Sequence, residues 1–448
     1  MPIVPQVATA AFLLCYAIPA RAIATLSPNC TLPALEERSA FIVASPNLRS
    51  TFNILWSSLA TIAACTYSVL HLDVPRQRNG RDPGWRGDLR WLSKGLGMKL
   101  KWCIVAILAP EYYLMIAAMQ YDAARRLQRR LQDLDNSVHG GRQWSINEAF
   151  FISMGGYGVS YWSDSTDRKV AELWTESFTH LLELAPSLVL PELLDADEVT
   201  ARSKTDMFTK SIVLAQILYF VVAVISRWIE HLPVSPLEVA TLAFTLCSFC
   251  TYGLFWHKPQ GVTAVTTIAL RDNLIPEYLT SVLQRKEHHE DIQERLSATG
   301  TNPAWEDWLG TEFLRGSLLV FILACASAVF SAIHLAAWNS TFPTAFERIV
   351  WRVATLVSAL TYMICWLCHV VMNVGSIRKP VDVIKRSRRR HVEVKPVVEL
   401  ASWIFVVTTI VYVLARLIII VEMFRSLAYL PLDAYITTSW PANVPHFG

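Results

Sequence analysis

Glu111 stands directly after Pro110 near the middle of the apolar run 102–121. A carboxyl group at that depth is expensive to keep in lipid, so such residues face a cavity, a pathway or a partner inside the protein. Proline removes a backbone donor and leaves a carbonyl unpaired, which a bilayer tolerates only where protein or water covers the break. Two readings of Glu111 follow. It is either the acid or proton carrier of a working site, or a carboxyl paired with an arginine for packing.

Three other carboxylates sit where chemistry is conceivable. Glu238 opens an apolar run after Pro233-Val234-Ser235-Pro236-Leu237; helix-dipole energetics place an acid there in any case, so a structural role is the stronger expectation, with Arg227 as its partner across the turn. Asp73 lies two residues from His71 at the end of another run, and Asp206 closes Ser203-Lys204-Thr205-Asp206. Trp256-His257-Lys258-Pro259 sets an aromatic against two bases on the same face as His71 and Asp73. The catalytic candidates are therefore Glu111, Asp73, Asp206 and Glu238, and the candidate substrate contacts are His71, Tyr112, Arg227, Trp256 and His257.

Several chemistries are excluded by what the chain lacks. Neither D-D-x-x-D nor N-D-x-x-D, the motifs that hold magnesium on a pyrophosphate, occurs; Asp164 and Asp167 have the interval without a partner motif, and Asp195-Ala196-Asp197-Glu198 only loosely echoes a protonating D-x-D-D acid. There is no G-x-S-x-G, Walker loop or H-E-x-x-H. The pairs Cys247/Cys250 and Cys365/Cys368 fall inside apolar runs where deprotonating thiols is costly, and His288 and His289, adjacent on a helix, point in different directions. No metal and no cofactor is expected.

These residues must be positioned by membrane helices. Of 448 residues 53% are hydrophobic and 17% charged, with a mean hydropathy of +0.34, so lipid rather than water is the main solvent. Runs near the length of a bilayer crossing occupy 50–70, 211–226, 239–256, 316–346, 353–377 and 400–415, the shorter ones extended by snorkelling at Arg227 and Arg416. The run 102–121 carries Glu111, and 149–162 is short and contains Met154-Gly155-Gly156-Tyr157-Gly158. The expected fold is all-α: a polytopic helical bundle of six or seven spans plus a re-entrant or broken segment over 102–162.

Charge sets an expected topology. Basic stretches at 76–101, 125–142 and 378–395, the last with Lys385-Arg386-Ser387-Arg388-Arg389-Arg390, belong on the cytosolic side. The sequons Asn29-Cys30-Thr31 and Asn339-Ser340-Thr341 belong in the lumen. The apolar run 7–18 followed by Ala20-Arg21-Ala22 predicts a signal peptide over 1–24. A lumenal segment 25–50, one membrane domain 51–430 with cytosolic helical stretches at 163–210 and 271–312, and a lumenal tail 431–448 complete the layout, in the endoplasmic reticulum. Net charge is only +3 and its basic clusters are explained by topology, so nucleic acid is no partner; lipid and a lipophilic small molecule are.

Trp56 to Pro75 with its Ala-Cys-Thr and His-x-x-Val-Pro, Ala109-Pro110-Glu111, Ser203 to Asp206, the Ala215-Gln216 to Arg227 span, and Leu232-Pro233-Val234 through Lys258-Pro259 together resemble a large fungal family of multi-spanning membrane proteins. Some fungal membrane proteins of this kind are terpene cyclases of meroterpenoid secondary metabolism. The resemblance implies protonation of an epoxide or olefin on a farnesylated substrate. That step requires a carboxylic acid kept in its neutral form by an apolar pocket, and Glu111 is the carboxyl set in one. The rival expectation is a transporter or receptor in which Glu111 binds a proton or cation.

Overall fold

The computed structural model describes residues 48–75, 84–138, 141–163, 167–173, 175–184, 186–203, 207–269, 317–377 and 390–438. The segment read as a signal peptide, Asn29, Asp206, the stretch 271–312, basic residues 385–389 and tail residues 439–448 lie outside them.

The helices begin where the sequence supplies caps. In α1 (Thr51–Val69) the Ser50 hydroxyl accepts the Asn53 N–H at 3.0 Å. Then come α2 (Trp85–Leu108) and α3 (Pro110–Val138). Their axes meet at 113°. Ala109 is the cause: a residue before proline is pushed out of the helical region, and Ala109 has φ −142° and ψ 68°. A capping box between Ser145 and Glu148 starts α4 (Ile146–Ser153).

The short run 149–162, expected as part of a re-entrant or broken segment over 102–162, is something else. After α4 the chain turns through Gly155 and Gly156 into β1 (Tyr157–Ser163), which pairs antiparallel with β2 (Asp167–Leu173) and parallel with β3 (Thr266–Ala269), giving the order β2-β1-β3. Gly156 is required there, because a Cβ would lie 2.5 Å from the Phe151 ring and 2.6 Å from its carbonyl oxygen. Tyr157 and Val159 alternate into the core, as a strand half-covered by α5 (Thr175–Leu184) requires. The 163–210 stretch, expected to be helical throughout, thus contributes a strand before α5 and the short α6 (Pro186–Val189) and α7 (Ala196–Ala201).

The remaining elements are α8 (Met207–Ile229), α9 (Pro236–Leu254), α10 (Ser317–His334), α11 (Ala345–Ile377) and α12 (Arg390–Arg425). The protein is mainly helical. Among the described residues five helical stretches are long and apolar enough to cross a membrane: Thr51–Val69, Ser211–Ile229, Pro236–Leu254, Ala345–Cys368 and Val406–Tyr429; the bent pair α2/α3 would count as a sixth only if it formed one span. The run 316–346 is not one long crossing. Its described apolar helix is Phe321–Ala337, after which Asn339-Ser340-Thr341 and Pro343 turn the chain into α11. The helix expected over 400–415 runs on past Arg416 to Arg425, and Arg416 is buried inside the bundle rather than marking its edge. α9 is the central helix, packed on α1, α3 and α10, and its flank from Pro236 to Ser248 is almost continuously buried.

Candidate functional site

Two buried polar clusters lie within the bundle. The first forms at the α2/α3 break. Pro110 occupies the first helical position, where its missing N–H costs nothing, and this puts Glu111 in the first turn with no exposed surface. The Tyr412 hydroxyl of α12 donates a hydrogen bond to Glu111 Oε1, whereas Oε2 is buried with no hydrogen-bond partner. One helical turn beyond Tyr412, Arg416 is 4% exposed; its Nε donates to the Leu108 carbonyl at 3.1 Å and its guanidinium lies 4.2 Å from the Phe330 ring centroid. Arg416 therefore covers a carbonyl exposed by the break and supplies the positive charge acting on Glu111. The snorkelling expected of Arg416 does not occur.

Tyr412 belongs to a cluster rich in aromatic rings. Tyr362 of α11 packs on Tyr412 at 4.9 Å, Phe321 on Trp366 at 5.0 Å, and Tyr112 and Trp366 border the same cluster as Met115, Leu323 and Tyr362. Of the expected contacts, Tyr112 is thus brought to Glu111's surroundings. Tyr412 and Arg416 were missed as members of the site, and only a tyrosine and arginine spaced one turn apart in an apolar helix signalled them.

The second cluster joins α1, α3 and the end of α9. Lys258 is 3% exposed, and its Nζ donates to Asp73 Oδ1 and to Gln120 Oε1, each at 2.9 Å. Beside it is a cavity of about 20 Å³ lined by His71, Asp73, Trp102, Tyr113, Gln120 and Phe255, among others. That is room for about one water molecule. His71 and Asp73 do converge, but with Lys258, while Trp256 and His257 turn to the exposed side of the same turn. Lys258→Met is expected to lower stability by about 3 kcal/mol, because it leaves Asp73 without its counter-charge, and Asp73→Asn in the same molecule is expected to recover most of it. Thermal unfolding of the three purified variants measures this.

Glu238 belongs to neither cluster. It is held by Arg49, through contacts of both guanidinium nitrogens, and by the Ser235 capping box, with Oε2 accepting from Ser235 N and Oγ at 2.9 Å each. The expected Arg227 to Glu238 pair is replaced. Arg227, 3% exposed rather than snorkelling, donates to the carbonyls of Pro233 at 3.0 Å, Ala434 at 2.9 Å and Ile436 at 2.8 Å. Arg49 also donates to the Ala434 carbonyl at 2.8 Å, and Leu48 bridges Ile436. These residues clamp the two ends of the described bundle together.

Residues 26–286 and 308–447 match the model of a family described as a family of unknown function, DUF8562. The chain belongs to that family. No curated protein and no solved structure matches it. In this DUF8562 chain the matched regions contain Glu111, Tyr412, Arg416, Asp73 and Lys258, and the unmatched 287–307 falls within the charged stretch 271–312. Among the described residues no three His, Cys, Asp or Glu side chains converge as a metal ion would require.

Proposed function

We propose that this integral membrane protein is a terpene cyclase that protonates an epoxide or terminal olefin of a farnesylated substrate, with Glu111 as the acid. One observation carries the reading: a fully buried carboxyl, oriented through Oε1 by Tyr412, keeps Oε2 unshared. The proton passes from Oε2 to the epoxide oxygen or olefin carbon, the substrate's own alkenes close onto the cation, and loss of a proton ends the sequence. Mass is unchanged. The faces of Tyr362 and Tyr412 are suited to the travelling cation, and Arg416 balances the carboxylate left on Glu111. The substrate enters from the bilayer by parting those rings; the water-sized cavity at Lys258 is far too small for it.

Microsomes carrying the protein, given a farnesylated aromatic or its epoxide without magnesium or nucleotide, are expected to form a cyclised isomer. If no prenylated substrate gives an isomer and reconstituted vesicles instead pass protons or cations, the transporter reading takes its place.

The same proposal sets the protein in the endoplasmic reticulum as a glycoprotein, with the signal peptide over 1–24 removed, Asn29 and Asn339 lumenal and 385–390 cytosolic. What supports it is the basic run, and an exposed Asn339 in the turn between α10 and α11. Asn29→Gln and Asn339→Gln are each expected to remove one endoglycosidase-sensitive step in mobility, and an unshifted Asn339→Gln would place that turn on the other side.

A further inference from the structure

The helix α2 has a character unlike that of the spans. Five Lys or Arg residues, at 86, 90, 94, 99 and 101, against one acid, Asp88, occur within its 24 residues. Each basic side chain at mid-bilayer costs about 2.5 to 3.5 kcal/mol even on the insertion scale, so this helix is no membrane-crossing arm along most of its length. It also turns 113° from α3, closer to perpendicular than to continuous. Among the described residues its buried apolar side chains, Trp102 and Ala106, lie towards its C-terminal end, with Met98 and Val105 packed beside them and Gly87 buried near its start.

Its exposed residues are ordered. Trp85, Leu89, Leu92, Leu96 and Leu100 follow one another at three or four residues, Ile107 stands seven further on, and the six are 70%, 59%, 63%, 64%, 58% and 41% exposed. At 100° per residue they share one stripe. Arg86, Arg90 and Lys94 fall on the adjoining and opposite faces, beside the stripe rather than within it. An apolar stripe rich in leucine and tryptophan against a basic flank is the pattern of a helix lying in a membrane interface, and its charge is complementary to anionic headgroups.

We propose that α2 lies in the plane of one leaflet, its leucine stripe at the acyl boundary and its basic flank on the headgroups of anionic lipid, so that the protein holds anionic lipids at this face.

Two measurements on the full-length protein in vesicles test this. Single nitroxides at Leu89, Leu92, Leu96, Leu100 and Lys94, in a background with the native cysteines replaced by alanine, report depth by collision with oxygen and with a nickel chelate. The four leucine positions are expected at one common depth with high oxygen contact, and Lys94 in contact with the chelate. Depth increasing steadily from Leu89 to Leu100, or chelate contact at all four, overturns the in-plane placement. Independently, the preference for spin-labelled phosphatidylserine over phosphatidylcholine is expected to fall about fivefold for each charge removed in Arg86→Gln, Arg90→Gln and Lys94→Gln. An unchanged preference overturns the anionic-lipid assignment, and neither readout depends on whether the protein cyclises anything.

Discussion

Glu111→Gln is expected to lower the rate of isomer formation by about 10²- to 10⁴-fold, with little change in the amount of protein recovered. The amide has the shape of the carboxyl and still accepts the Tyr412 hydrogen bond at its oxygen, but it has no acidic proton to deliver from the position of Oε2. Tyr412→Phe serves as the companion. It removes the hydroxyl that fixes Oε1 while leaving the acid, and a drop of about tenfold is expected from the loss of one hydrogen bond to a carboxyl group. If Glu111 serves only to balance Arg416 in the packing, the pattern reverses: Glu111→Gln then lowers the melting temperature by leaving the guanidinium uncompensated, and activity per folded molecule is retained. Measuring turnover and unfolding on the same preparations separates the two roles that the sequence leaves open for this residue.

Glu238→Ala is expected to be the most destabilising single change in the membrane domain, at about 3 to 5 kcal/mol, read as a fall in folded yield and in melting temperature. Glu238 is 3% exposed and faces Arg49 directly, with the Arg227 charge also acting on it. Alanine removes the only carboxylate that meets Arg49 there among the described residues, and it opens the Ser235 capping box, adding about 1 kcal/mol. Glu238→Gln keeps the oxygen that accepts from Ser235 but not the charge, so an intermediate loss is expected. Activity per folded molecule should be unaffected by either, since Glu238 lies in the clamp between chain ends and not beside the Glu111 rings. Arg49→Leu combined with Glu238→Leu tests the point further: replacing both partners should cost much less than removing one.

The parts of the fold legible in the sequence are those dictated by local composition. Charge-free runs located α1, α8, α9, α11 and α12, because lipid excludes unpaired charge over a whole span. The same rule misled wherever a charge is buried against a distant partner. Arg227 and Arg416 looked like the ends of spans, yet they pair with carbonyls at Ile436 and Leu108, 209 and 308 residues away. Glu111 was conspicuous on its own, while Tyr412, 301 residues downstream, had nothing local to connect it. Helix α2 was hidden for a related reason: its lysines and arginines made it read as a loop, since a search for crossings discards a helix whose apolar stripe is only one side wide. The small sheet escaped notice because β1 and β3 pair across about a hundred residues and each is short, so neither shows a sustained alternation.

The clamp between the ends of the domain sets the order in which the molecule can be completed during its synthesis. Arg227 lies in an apolar helix made early, and the Ile436 carbonyl that receives it is made 209 residues later. At ordinary elongation rates that interval is roughly 10 to 40 seconds. Throughout it a guanidinium destined for burial has to be kept hydrated or lent to a lipid phosphate, and Arg49 is short of its Ala434 carbonyl for the same period. Closure of the bundle therefore waits on the emergence of residues 434–436 from the ribosome, and nascent chains stalled before that point would be open along the α1 and α9 face.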